Sequence, residues 1–71
     1  MPRPPTLALT IVHFPDGWRI LSDGERWGRF GYRVDAEEAA LRLAREAARA
    51  GRTVEIWVQD VSGRLEGLRA A

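Results

Sequence analysis

Residues Asp35 to Gly51, DAEEAALRLAREAARAG, decide the fold. Aspartate is a good N-cap, Glu38 follows three residues later as in a capping box, and Glu37 adds negative charge where the helix dipole favours it. Gly51 is the residue expected just past the end, where the chain turns left-handed. The spacing therefore predicts a helix from about Ala36 to Ala50. On a 3.6-residue wheel Ala36, Ala40, Leu43, Ala47 and Ala50 share one stripe, with Ala39 and Ala44 at its margins. Glu37, Glu38, Arg42, Arg45, Glu46, Arg49 and Arg52 fill the other side. A stripe made almost wholly of methyl groups buries little area, but it lets the helix approach a sheet closely. Large strand residues must then fill the layer.

The flanking sequence supplies those strands. Leu7 to Phe14 alternates in a β-like way with both parities apolar, which leaves its core face open. Pro15-Asp16-Gly17 is turn chemistry, and a strand from Trp18 to Ser22 follows. Asp23-Gly24 is the dipeptide preferred in a two-residue hairpin. A third strand, Arg26 to Arg33, returns beside the second, with Gly28 and Gly31 as sites for a bulge or a close backbone approach. After the helix come a strand at Thr53 to Val58, a turn at Asp60 to Gly63 and a short strand at Arg64 to Leu68. The expected fold class is α+β: an antiparallel sheet of three to five strands with one alanine-rich helix on one face, in the order ββ(β)αβ(β). Residues 1–5, with three prolines, form a flexible lead, and residues 6–71 a single domain.

Composition narrows the function. A 71-residue chain has a small core and is usually supplemented by disulfides, a metal or a second subunit. There is no cysteine and His13 is the only histidine, so self-association is the expected supplement. No apolar run approaches membrane-helix length and no signal peptide opens the chain, so a cytoplasmic location is expected. All 11 basic residues are arginine and asparagine is absent, a pattern that reads as genomic bias. The net charge of +1 is low for a duplex-binding protein.

No motif for catalysis, a cofactor or a metal is present. His13 and Asp16 lie within reach across the first turn, but no nucleophile or oxyanion donor accompanies them, so the pair reads as structural. The protein is expected not to be an enzyme and to need no cofactor. Strand parity gives a better lead. With Trp18, Ile20, Phe30, Val54 and Ile56 turned to the helix, the other sheet face collects Trp27, Trp57, Leu21, Arg19, Arg29, Arg33 and Glu55. Three uses fit such a face: aromatic rings lying flat under guanidinium groups with no ligand, a homodimer or other protein interface, and single-stranded nucleic acid. A homodimer is the primary expectation, and nucleic acid is the lesser alternative.

Several stretches carry family resemblances. Asp16-Gly17-Trp18-Arg19-Ile20, Asp35-Ala36-Glu37-Glu38-Ala39, Val54-Glu55-Ile56-Trp57-Val58 and Ser62-Gly63-Arg64-Leu65 together resemble a family of small bacterial ββαβ domains of unknown function. That resemblance covers about Ile11 to Leu65 and implies no catalytic residue. The hairpin, third strand and Asp-Ala-Glu-Glu-Ala helix opening are also similar to the partial RNase H-like domain of HicB-type antitoxins. This second resemblance implies oligomerisation and binding to a protein partner, an RNA-cleaving toxin.

Overall fold

A computed structural model describes residues 6–22 and 25–68. The expected flexible lead at residues 1–5, the Asp23-Gly24 turn and the C-terminal alanines lie outside the described residues. In chain order the elements are β1 (Leu7–Phe14), β2 (Gly17–Ser22), β3 (Glu25–Phe30), α1 (Arg33–Arg49), β4 (Val54–Gln59) and β5 (Leu65–Leu68). The strands form one sheet in the order β3-β2-β1-β4-β5, with α1 against β1, β2, β3 and β4.

The sheet is mixed, not antiparallel as the sequence led us to expect. β1 pairs antiparallel with β2, β2 with β3 and β4 with β5, but β1 and β4 run parallel. The helix is the cause. Two hairpin reversals leave β3 pointing the same way as β1. The 17-residue α1 then carries the chain back about 25 Å, so β4 must set out in that same direction. A parallel pair needs such a crossover, because a tight turn can only reverse the chain.

The core lies between the alanine stripe and the central strands. Leu9, Ile11, Ile20, Ile56 and Val58 are buried beneath Ala36, Ala40 and Ala44. Register explains the packing: Ile11 stands opposite both Ile20 and Val58, and Leu9 opposite Ile56. This settles the face of β1, whose odd-numbered residues point inward. Ala44 belongs to the centre of the helix stripe, while Ala50 is exposed. Each fully buried Leu, Ile or Val contributes about 1.5–3 kcal/mol of transfer free energy, so Leu9, Ile11, Ile20 and Val58 dominate the apolar term.

The helix begins earlier than its sequence signature suggests. Its N-cap is Tyr32, with φ −129° and ψ 147° and no side-chain capping bond, and the Ala36 amide donates to the Tyr32 carbonyl at 3.3 Å. Asp35 therefore lies in the first turn. There Arg33 and Glu37, four residues apart, pair at 2.8 Å and extend the helix by one residue pair beyond Asp35. The other end follows the expected pattern. The Gly51 amide donates to Ala48 and the Arg52 amide to Ala47, both at 3.0 Å, with Gly51 at φ +79°. These are the two bonds of a Schellman motif.

Candidate interaction face

Opposed residues in register share a face, so the strand pairings identify what the helix leaves uncovered. One row crosses all five strands: Arg26 on β3, Leu21 on β2, Thr10 on β1, Trp57 on β4 and Gly67 on β5. The next runs Arg19, Val12, Gln59 and Leu65, and a third pairs Ala8 with Glu55. Trp57, Leu21, Arg19 and Glu55 thus occupy this face together, as the alternation of β2 and β4 indicates.

Trp57 stays partly covered, at 37% exposure. Its indole lies over the backbone of Gly67: a methyl group built on that glycine would meet Cζ3 at 3.6 Å, an ordinary contact. A glycine opposite a tryptophan gives the ring a flat bed, while Gly67 itself stays exposed. Beside it Leu65 is 53% exposed on the edge strand.

The β2–β3 side of the face is basic. Arg19 donates from Nη2 to Oδ2 of Asp16 at 2.6 Å, and Arg29 Nη2 stands 3.6 Å from the same oxygen. The hydrogen bond from Arg19 is the main reason the Asp16 carboxyl is held below its usual value; desolvation opposes it, and the charges of Arg19 and Arg29 reinforce it. Arg19 is laid down along the sheet, its side chain only 18% exposed and its Nε buried without a hydrogen-bond partner. Arg26 extends over the Phe14 ring, 4.9 Å from its centroid, a cation–π arrangement. Arg26 and Phe14 are members of this face that sequence reading missed; the signal was the parity of Arg26 relative to Leu21 across the hairpin.

Two expected members are elsewhere. Arg33 is in the first turn of α1, because β3 ends at Phe30 and the chain bends at Gly31-Tyr32. Trp27 is on the helix side. The register steps from Ile20 opposite Trp27 to Trp18 opposite Phe30, so one residue of β2, Arg19, faces two of β3, Gly28 and Arg29. The extra residue is a β-bulge, with Gly28 at φ +63°. A bulge shifts strand parity by one. Trp27 and Phe30, an odd number of residues apart, consequently point to the same side.

His13 and Asp16 are engaged by different partners. The histidine ring packs on Trp18, centroids 4.7 Å apart and planes tilted by 44°, while Asp16 is engaged by arginine. Among the described residues no three His, Asp or Glu side chains converge to hold a metal ion, and no helix is long and apolar enough to cross a membrane. At the β4–β5 turn Asp60 Oδ1 accepts from the Ser62 amide (2.9 Å), the Ser62 hydroxyl (2.6 Å) and the Arg64 amide (3.0 Å). Through that one oxygen the aspartate shapes the loop.

No protein-family model, curated protein or solved structure matches this chain.

Proposed function

We propose that this protein is a small non-enzymatic interaction module that pairs with a second copy of itself through the helix-free face of its sheet. The observation that carries the reading is the row Arg26, Leu21, Thr10, Trp57, Gly67. Its sizes are self-complementary. A two-fold axis along β1 at Thr10 lays β2 over β4 and β3 over β5 of the second copy. Leu21 then meets Trp57, and the long Arg26 meets the strand carrying Gly67. An isologous interface requires this reciprocity, and tryptophan and arginine are its usual anchors. A chain this short also has the most to gain from covering a second face.

Magnitude limits the affinity. Five strands about 4.8 Å apart and five residues about 3.3 Å apart along each give roughly 400 Å² per copy. Two copies bury roughly 800 Å², short of the ~1,200 Å² at which stable interfaces begin, so the dimer is a weak one. Sedimentation velocity over a concentration series reaching the order of 500 µM is the test. A mass that rises towards two copies supports the reading, and a monomer throughout refutes it.

The same face offers arginines beside Trp57 to single-stranded nucleic acid, and the antitoxin-like resemblance suggests a different protein as occupant. With Trp27 turned to the other side, one tryptophan remains to stack a base, which weakens the nucleic-acid use. Salt separates the outcomes: nucleic-acid binding falls steeply with ionic strength, while apolar contact holds.

A further inference from the structure

On the opposite side of the sheet, near the C-terminal end of α1, lies a pocket of about 190 Å³ lined by Leu7, Leu9, Ser22, Trp27, Leu43 and Arg52. Three local features build it. The register with Ile20 turns Trp27 inward, where this residue, 45% exposed, forms the outer wall. The Schellman turn at Gly51 brings Arg52 to the rim. Ser22, at the end of β2, is a hydroxyl among leucines and only 6% exposed.

Size and chemistry define what such a pocket takes. An apolar cavity of about 150 Å³ accommodates a benzene ring, so this volume holds a ring or short chain plus one polar group. Of the two polar liners, Arg52 is cationic and has no ion-pair partner among the described residues. The neighbouring helix terminus acts against an anion with about half an elementary charge. A full guanidinium charge outweighs it, and the Ala48 and Ala47 carbonyls are already occupied by the Gly51 and Arg52 amides.

We propose that this pocket binds a small carboxylate with an apolar body, of the size of benzoate, with the carboxylate on Arg52 and Ser22 and the body between Trp27 and the leucines. The site is independent of the sheet face used for pairing. A few well-placed polar groups in an apolar concavity are the usual composition of small-ligand sites. A ligand of about nine heavy atoms makes this a weak site, on the order of millimolar for benzoate itself.

The test is a titration of the full chain with benzoate and, in parallel, with neutral benzamide, followed by amide and indole NMR shifts at fixed ionic strength. Saturable shifts are expected at Leu7, Leu9, Ser22, Leu43 and the Trp27 indole. Benzoate is expected to bind about tenfold more tightly than benzamide, the scale of one charge-assisted hydrogen bond. Arg52→Gln, at a partly exposed position that leaves the core intact, is expected to erase that preference while benzamide binding persists. Absence of saturable shifts at these residues overturns the site. Equal affinity for the two ligands, or a preference unchanged in Arg52→Gln, overturns the assignment of a carboxylate.

Discussion

Trp27 stands opposite Ile20 across β2 and β3, on the side of the sheet that faces the helix. The pairing runs unbroken from Ser22 opposite Glu25 to Ile20 opposite Trp27, and the extra residue at Gly28 then brings Phe30 to the same side as Trp27.

That dependence can be measured. A methyl at residue 28 would come within 2.8 Å of the Phe30 ring, and φ +63° is a conformation that L side chains avoid. Gly28→Ala should destabilise the protein by about 1–3 kcal/mol, read from urea unfolding. Gly67→Ala is the control: it has no positive φ and an added methyl only touches the Trp57 ring. A change there within about 0.5 kcal/mol is expected. Equal losses in the two variants would mean that the bulge is not what holds residue 28.

The two exposed tryptophans should separate in solution. Trp57→Ser should abolish the concentration-dependent rise in mass, whereas Trp27→Ser should leave it intact. If Trp27→Ser is the variant that becomes monomeric, the pairing surface is on the other side of the sheet.

The centre of the core is Ile11, fully buried between Ile20 and Val58. Ile11→Val should cost about 0.5–1.5 kcal/mol and Ile11→Ala about 2–5 kcal/mol. Denaturant midpoints would check both, and the milder variant remains informative if the alanine variant does not fold. A loss as small for alanine as for valine would show that the layer collapses around the gap.

Acid should weaken the first turn. The folded-state value of Asp16 is depressed, chiefly by the Arg19 hydrogen bond. Its contribution is present above the unfolded value of about 3.9 and is lost as pH falls through the folded value. Asp16→Asn should therefore be less stable than the parent at pH 6 and converge with it in strong acid. Parallel stability curves across that range would rule the pairing out as a contributor. Asp60, depressed mainly by the Ser62 hydroxyl, acts with the same sign at the other loop.

How far the sequence could be read depended on whether each feature is local. The helix stop was legible at Gly51, because a left-handed residue after a periodic run has few other uses. The start was not: Tyr32 caps with its backbone alone and leaves no side-chain signature, so Asp35 drew attention instead. Strand direction was hidden, since nothing within Val54–Gln59 records how α1 delivers the chain to β1. On the interaction face, Trp57, Leu21, Arg19 and Glu55 followed from alternation because β2 and β4 keep their period along those residues. Trp27 and Arg33 did not, because the bulge breaks the period at one and the strand ends before the other. Gly28 and Gly31 marked both places, but a glycine alone does not say whether it shifts parity or ends a strand.

The parallel pairing of β1 with β4 has a consequence for the order in which the molecule is assembled. β1, the central strand, is made first, yet the partner for its second edge begins only at Val54, after the helix. Until then the β1–β2–β3 meander carries an open edge beside Leu9 and Ile11, the side chains with the most to lose from water. A nascent or truncated chain ending within α1 is thus the form most exposed to mispairing with its own copies. Closure of that edge by β4 is the strand pairing with the longest sequence separation, the kind whose loop-closure entropy slows folding.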